Sequence, residues 1–375
     1  MIYFDNAAST FPKPPEVLKG VSKWLTVNGA NPGRSGHPLS LKAADEVFET
    51  RCEIANFFGV SAPEKIVFVP NATYGLNILI QGLLRSGDHV ITTDLEHNSV
   101  LRPLHYMHKK YGVQFDVVNV DLYDDVKTVE RIVGRIKKET RFIICTRCSN
   151  LCGKILPVEL ISRCIPDNIR LIVDGSQGAG VIYDDFSKTK IDYYCAPSHK
   201  GLFGIQGSGF IIINNDMPTP IICGGTGSDG MSVVQPQYLP DAFENGTLAT
   251  PAVLSMKYGI RYINKIGIDN IYNHKIKLQR FMNNELNKVK NVIQYTDCEK
   301  SNFVGSLCFN INNVTSDLVS DYLSKNGICV RSGFHCAPFA HKKFGTEKSG
   351  AVRVSFSFHN TAREVERFCE ILNKY

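Results

Sequence analysis

Short apolar runs alternate with segments of helical periodicity through the first two thirds of this chain. The sequence predicts strands at residues 66–69, 89–92, 115–120, 141–146, 170–173 and 209–213. Helices are predicted between them, the clearest over about 73–84 and 98–111. Strands and helices in alternation are typical of a doubly wound α/β sheet, in which ligands bind at the carboxyl ends of the strands.

The pattern changes after Pro251. Two long helical stretches follow, and then strands interrupted by loops. The predicted helices cover 252–266, 268–289 and 362–372, and the predicted strands cover 305–311, 328–331 and 351–356. This order of elements indicates a second, smaller α+β domain.

Composition and charge narrow the class of protein. Of the 375 residues, 43% are hydrophobic and 21% charged, which is ordinary for a globular protein. The formal net charge is +6, with acids and bases interspersed, which argues against a nucleic-acid partner. No apolar run approaches the roughly 18 residues of a membrane helix, and residues 1–6 do not resemble a signal peptide. We therefore expect a soluble cytoplasmic protein that binds no membrane.

The 12 cysteines are expected to be free thiols rather than a disulfide framework. The spacing of Cys145, Cys148 and Cys152 would also suit a zinc or iron–sulfur site. Against that, residues 142–145 have the composition of a buried strand, and no fourth ligand stands nearby in the sequence. We predict a structural role for these cysteines and no metal.

Lys200 has the setting of a lysine that binds pyridoxal phosphate (PLP). It lies among small residues, about 26 positions after Asp174, which ends an apolar run. A PLP enzyme needs an amine that forms an imine with the cofactor, and a carboxylate that pairs with the pyridinium nitrogen. By itself, Asp174 would more simply be a turn former at a strand end, since Gly175 follows it.

Cys336 stands in Arg331-Ser332-Gly333-Phe334-His335-Cys336-Ala337, which resembles neither a core strand nor a core helix. A thiolate nucleophile needs partial exposure and a lowered pKa. Arg331 and His335 are candidates for the positive potential that would lower the pKa, and Gly333 would make the loop flexible. The alternative is a buried core thiol.

Taken with segments 5–10 and 358–361, these motifs resemble those of the cysteine desulfurases, in the class V aminotransferase family of fold-type I PLP enzymes. The short cysteine loop favours the branch that includes selenocysteine lyases. The resemblance implies a large PLP-binding α/β domain over residues 15–250 with a mixed sheet. It also implies a small α+β domain, formed by residues 1–14 and 251–375, that carries the cysteine loop. The active site would lie at the interface of a homodimer.

The resemblance also assigns roles around the cofactor. Thr73 and His199 would bind the phosphate, together with the partner subunit's Thr247. His97 would stack on the ring, and Asp174 would hold the ring nitrogen protonated. The remaining cofactor contacts, to the phenolic oxygen, would come from Asn150 and Gln177.

Further roles concern the substrate. Arg353 would bind the substrate carboxylate with Arg331 in support, because arginine offers two parallel donors. His37, in segment 31–37, and Asn150 would also lie near the substrate. Lys200, Cys336 and His97 would be the catalytic residues.

Three segments of the chain depart from the family pattern, at four positions. Pro197 stands where a hydroxyl residue precedes His199, so that one phosphate contact is lost. Arg147 and Cys148 replace a segment that contains histidine, which could alter the polarity near the cofactor's phenolic edge. Phe334 stands where most members of this branch have a second histidine.

The resemblance implies conversion of L-cysteine, or of L-selenocysteine, to L-alanine, with the sulfur passing to Cys336 as a persulfide. Another class V lyase or an aminotransferase would keep Lys200 and Asp174 but would not depend on Cys336. A non-catalytic sulfur-relay partner is an alternative of a different kind. The identity of the protein that accepts the sulfur stays open. The sulfur could serve iron–sulfur cluster assembly, thionucleoside synthesis or molybdenum cofactor maturation.

Overall fold

The computed structural model describes residues 1–33, 35–228 and 230–375. Its strands are β1 (Ile2–Tyr3), β2 (Ile66–Val69), β3 (His89–Thr93), β4 (Gln114–Val118), β5 (Thr140–Thr146), β6 (Arg170–Asp174), β7 (Tyr193–Pro197), β8 (Gly209–Ile213), β9 (Val292–Gln294), β10 (Ser306–Ile311), β11 (Ile328–Cys329) and β12 (Val352–Ser355). Its α-helices are α1 (Pro15–Val27), α2 (Pro38–Phe58), α3 (Ala72–Leu83), α4 (Asn98–Tyr111), α5 (Asp125–Val133), α6 (Val158–Cys164), α7 (Thr250–Ile266), α8 (Ile268–Leu286), α9 (Ser316–Lys325), α10 (Pro338–Phe344) and α11 (Ala362–Leu372).

The central sheet has the strand order β2-β8-β7-β6-β5-β3-β4. Strands β4, β3, β5, β6 and β7 are parallel, whereas β8 is antiparallel to both β7 and β2. The fold class predicted from the sequence, a doubly wound α/β sheet of mixed type, is therefore confirmed.

Both faces of this sheet are covered, because side chains along a strand point alternately to opposite sides. Ile143 and Cys145 of β5 belong to one apolar core, and Phe142 and Ile144 belong to the other. Burial on both faces explains why these strands are continuous apolar runs rather than alternating ones.

A separate apolar core lies towards the C-terminus. It joins β10 and β12 to helices α8, α9 and α11, and it includes Phe4 from the N-terminal segment. Strand β1 pairs in parallel with β11, and Asp5 forms a bridge with Ser355. The division into domains at residues 14 and 250 stays a prediction.

Some element boundaries differ from those expected. The sequence suggested no strand at β7, since this segment ends in Ala196 and Pro197, yet the segment is buried between β6 and β8. The predicted helix over 268–289 ends at Leu286, and the predicted strand over 328–331 ends at Cys329. In the part of the chain that the structure describes, no helix combines the length and the apolar character needed to cross a membrane.

The three clustered cysteines lie in the protein interior. Cys145 and Cys152 belong to the larger core, and Cys148 packs against Val181 and Val304. Burial raises the pKa of Cys148 to about 12 and also raises the pKa of Cys145 and Cys152, so these thiols stay protonated. Each side chain therefore acts as a small hydrophobic group.

Candidate active site

A cavity opens at the carboxyl ends of β5, β6 and β7, where a doubly wound sheet binds its ligands. Seven of the residues predicted from the sequence line it: Thr73, His97, Asn150, Asp174, Gln177, His199 and Lys200. Asp174 ends β6, and Gly175 must follow it, because an added Cβ would lie 2.0 Å from the ring of Tyr194.

Lys200 lies half-buried in this cavity, in the loop after β7. Burial lowers the pKa of the Lys200 amine to about 8, and Asp174 opposes that shift. Asp174 is 2% exposed and accepts a hydrogen bond from the backbone N–H of Ser176 at 2.9 Å. The structure thus holds a carboxylate and a readily deprotonated amine in one enclosed space.

Helix α3 begins at the wall of the cavity, where its N-terminal dipole favours an anion. The Thr73 hydroxyl lies 2.7 Å from that of Ser99, which in turn lies 2.9 Å from Nδ1 of His97. Ser99 therefore links the predicted phosphate residue to the predicted stacking residue. The sequence reasoning missed Ser99, although its position two residues after His97, in the first turn of α4, was a usable signal.

The hydrogen bonds around His97 define its protonation. Nδ1 accepts the backbone N–H of Ser99 at 3.0 Å, so the ring proton is on Nε2. Burial lowers the pKa of His97 to about 4, and the imidazole is neutral at pH 7. A neutral ring suits stacking on a flat cofactor without adding positive charge.

The polar groups of the cavity have unused hydrogen-bonding capacity, both donors and an acceptor, for a polar ligand. Oδ1 of Asn150 and Nδ1 of His199 are buried and have no hydrogen-bond partner among the described residues, whereas buried polar groups normally have one. Asn150 donates one amide N–H to the carbonyl of His335 at 2.8 Å, and Gln177 donates one to the carbonyl of Ala7 at 2.9 Å. Each amide keeps a second N–H for a ligand. This donor set fits PLP.

Arg353 is almost fully buried, and its guanidinium is only partly satisfied. It donates from Nη2 to Asp5 at 2.7 Å and from Nη1 to the carbonyl of Asn150 at 3.0 Å, while Nε has no partner among the described residues. Arg331 lies beside it through backbone hydrogen bonds of 2.7 and 3.2 Å. Asp5, which the sequence did not single out, neutralises and orients the buried cation.

Cys336 is exposed and lies in a groove of about 450 Å³ that also contains His97, Thr73 and Ser99. Those three residues line the Lys200 cavity as well, so the groove and the cavity adjoin. The carbonyl of Cys336 accepts the backbone N–H of Asn98 at 2.7 Å, which ties the cysteine loop to the start of α4.

One expectation about this loop is wrong, and its flexibility stays a prediction. Burial lowers the pKa of His335 to about 2, so its ring is neutral at pH 7 and cannot supply positive potential to Cys336. The loop is held by several hydrogen bonds. The carbonyls of Gly333 and Phe334 accept backbone hydrogen bonds of 3.0 Å, and the carbonyl of His335 accepts the Asn150 amide.

Two predicted residues lie elsewhere in this chain. His37 is exposed and caps α2, its Nδ1 accepting the backbone N–H of Ser40 at 3.2 Å. Thr247 is exposed in the loop before α7. Neither lines the cavity of its own chain. Arg34, within the predicted segment 31–37, lies outside the described residues.

Arg147 turns away from the cavity. Its Nε donates to Asp184 at 2.7 Å, and its terminal nitrogens contact Glu159 and the carbonyl of Leu156. The expected change of polarity at the cofactor is therefore absent at this position. Pro197 does line the cavity. The Ser198 hydroxyl donates a hydrogen bond to the carbonyl of Ile205, so Ser198 does not replace the phosphate contact that is lost at Pro197.

A lysine enclosed in a cavity at the strand ends of a doubly wound sheet, with an aspartate in the same cavity, is the arrangement that fold-type I PLP enzymes require. The chain belongs to the aminotransferase class-V family, whose model matches residues 2–368, and its cofactor is PLP.

Within this family the chain is similar to cysteine desulfurases. It is 33% identical to the probable cysteine desulfurase of Methanothermobacter thermautotrophicus, over 100% of this chain and 94% of the relative. It is 30% identical to that of Pyrococcus abyssi, again over 100% and 94%. The apo structure of the cysteine desulfurase from Thermococcus onnurineus NA1 has a TM-score of 0.91 at 30% identity, over 100% of this chain and 94% of that one. The resemblance inferred from the motifs is confirmed.

Proposed function

We propose that the protein is a cysteine desulfurase that converts L-cysteine to L-alanine and transfers the sulfur to Cys336 as a persulfide. One observation carries the proposal. The exposed thiol of Cys336 opens into a groove that shares His97, Thr73 and Ser99 with the cavity of Lys200. A lyase or aminotransferase that uses only Lys200 and Asp174 would have no need of this thiol.

Bound PLP supplies an electron sink that stabilises negative charge at the substrate Cα. We assign its attachment to Lys200 and its ring-nitrogen contact to Asp174. His97 would cover the ring. The other contacts would come from Asn150 and Gln177 at the phenolic edge and from Thr73, His199 and the partner subunit's Thr247 at the phosphate.

Lys200 acts as the base that removes the Cα proton. Its pKa of about 8 leaves a useful fraction of neutral amine at pH 7, which an exposed lysine would not have. Arg353 binds the substrate carboxylate through its unpartnered Nε and the second N–H of Nη2, while Asp5 and the Asn150 carbonyl hold the guanidinium in place. Arg331 adds positive charge beside Arg353, and His37 of a partner subunit would complete the substrate pocket.

The Sγ atom of Cys336 then attacks the substrate Sγ. An S–S bond forms as the Cβ–Sγ bond of the substrate breaks, and the electron pair of that bond stays on Cβ, while the pair of the Cα–H bond is also retained by the carbon skeleton. Protonation at Cβ and Cα yields L-alanine. Cysteine and one enzyme thiol thus give alanine and one enzyme persulfide, without an external oxidant or reductant.

We propose that the enzyme is a cytoplasmic homodimer. Apolar side chains are exposed on the segment that precedes Thr247: Ile221, Ile222, Met231, Val233, Val234 and Tyr238. Such a patch is typical of a surface that another chain covers. A second copy covering it would bring Thr247 and His37 towards a neighbouring site. The persulfide would pass to an acceptor protein, with iron–sulfur cluster assembly as one use.

The test of the proposed function uses the purified, PLP-loaded protein. Incubation with L-cysteine should give L-alanine and one additional sulfur atom, a mass increase of about 32 Da, on the peptide that contains Cys336. Borohydride reduction before digestion should attach the cofactor to the peptide that contains Lys200. Alanine formation with no sulfur on Cys336 would refute the proposal.

Arg353→Lys should raise KM for L-cysteine by roughly 10- to 100-fold, because a lysine cannot replace two charge-assisted hydrogen bonds. The KM for cysteamine, which lacks the carboxylate, should change by less than about threefold. Steady-state assays of thiol consumption with both substrates give the comparison. An equal rise of KM for both would show that Arg353 serves the fold rather than the carboxylate.

A further inference from the structure

A chain of hydrogen bonds lies directly behind the cysteine loop. The Thr346 hydroxyl is 2.7 Å from Nδ1 of His341, and Nε2 of His341 is 3.4 Å from Nδ1 of His335. Nε2 of His335 is 3.3 Å from the carbonyl oxygen of Arg331. His335 and His341 are buried, at 4% and 1% exposure, so solvent does not compete for these contacts.

The last acceptor determines where every proton lies. The Arg331 carbonyl can only accept, so Nε2 of His335 carries a proton and Nδ1 of the same neutral ring accepts. Nε2 of His341 must then donate, which leaves its Nδ1 as an acceptor for the Thr346 hydroxyl. Each group in the series Thr346, His341, His335 thus donates to the next, and the series ends at the Arg331 carbonyl. If either histidine had its proton on the other ring nitrogen, two acceptors or two donors would face each other.

The chain of hydrogen bonds holds the backbone in an unfavourable conformation. His335 and Cys336 have φ angles of 50° and 54°, in the left-handed region that residues other than glycine seldom adopt, least of all two in succession. This conformation turns the His335 ring inward, and the Cys336 thiol stays exposed in the groove. The ring needs a fixed partner on the inside, and His341 of α10 is that partner.

We propose that His341, oriented by Thr346, is the positioning residue that holds the Cys336 thiol in its attacking position. This inference rests on the proposed function. It also gives a reason why Phe334 is tolerated where most members of the branch have a histidine. The Phe334 ring packs edge-on against His341, with centroids 5.6 Å apart, and the imidazole that supports the loop comes from α10 instead.

Charges near the two rings favour neutral imidazoles. Burial and the positive charges of Arg353 and Arg331 lower the pKa of His335. Burial also lowers the pKa of His341, against opposing effects of the Phe334 and Thr346 backbones and, more weakly, of Glu347. The tautomer order is therefore maintained at neutral pH.

Thr346→Val tests the proposal with a nearly isosteric change. It removes the donor to His341 and leaves the buried Nδ1 of that ring without a partner, so that the order of tautomers loses one of its hydrogen bonds and the contact with His335 weakens. On the PLP-loaded protein without substrate, the amides of Asn98 and Ala337 should exchange hydrogen for deuterium about fivefold faster, the factor that corresponds to roughly one hydrogen bond. Persulfide formation on Cys336 should slow by about the same factor, while the cofactor's spectral response to added cysteine stays unchanged.

Thr346→Ser keeps the hydroxyl and should restore both rates to within twofold of wild type. Thr128→Val, which removes a buried hydroxyl from α5, is the matched control and should alter neither. If Thr346→Val does not fold, His341→Gln, which keeps a donor near Nε2, and His341→Leu, which does not, give the same comparison. Exchange or persulfide rates within twofold of wild type in the hydroxyl-free or donor-free variant would overturn the proposal. If wild type formed no persulfide, the proposed function would fail, and the exchange data alone would decide whether Thr346 and His341 hold the loop.

Discussion

Cys336→Ser should reduce alanine formation from L-cysteine by about 10³-fold or more, because a serine hydroxyl is not ionised at neutral pH and cannot accept the sulfur as a stable persulfide. The variant should still bind PLP and should still change its absorption spectrum when cysteine is added. Lys200, Asp174 and His97 are untouched by the substitution, and the Cys336 side chain is exposed, so the fold should be preserved. Single-turnover measurement of alanine gives the rate.

The matched control is Cys164→Ser, which alters an exposed cysteine at the end of α6. Its rate of alanine formation should stay within twofold of wild type. Undiminished turnover in Cys336→Ser would assign the sulfur-accepting role to another group, and it would support a lyase reaction that releases sulfide directly.

Lys200→Met should abolish turnover and at the same time stabilise the cofactor-free protein at pH 7 by about 2–3 kcal/mol. Burial lowers the pKa of Lys200 from 10.5 to about 8, and each pKa unit corresponds to about 1.4 kcal/mol of cost for the buried ammonium. The thioether of methionine fills a similar volume without that cost. Urea unfolding of both proteins without PLP measures the difference.

The pH dependence of this difference has a definite sign. Between pH 8 and pH 10.5 the unfolded wild-type chain keeps the Lys200 proton that the folded chain has lost. Wild-type stability therefore rises with pH in this window, and the advantage of Lys200→Met shrinks. Lys109→Met, at an exposed position on α4, should change stability by less than about 0.5 kcal/mol. If Lys200→Met were less stable than wild type at pH 7, the Lys200 ammonium would not destabilise the folded protein.

The fold could be predicted because buried strands and amphipathic helices have distinct periods. Helices α4 and α11 and strands β2 and β8 have the predicted bounds, and most of the other predicted elements shift by one or two residues at an end. Strand β7 was missed since its apolar character comes from two tyrosines, a cysteine and small residues rather than from branched side chains. Its place in the sheet is decided by β6 and β8, which no local pattern reveals.

The candidate site was only partly accessible to sequence reasoning. Residues that follow a strand end, such as Asp174 and Lys200, carry a local signal. Asp5 and His341 carry no such signal. Asp5 contacts Arg353, which is far away in the sequence, and His341 has its role only because it hydrogen-bonds to the ring of His335. The neutrality of His335 was missed for the same reason, since burial is a property of the fold.

The N-terminal segment has a consequence for how the molecule is made. Asn6 donates to the carbonyl of Ser355, 349 positions away, while the backbone N–H of Thr10 and the amine of Lys13 donate to the carbonyl of His199. On a ribosome, Asn6 emerges long before Ser355 and must wait for it before this contact can form. The loop of Lys200 is then among the later parts of the nascent enzyme to become rigid, and coenzyme capture should wait until the segment around Ser355 has been synthesised.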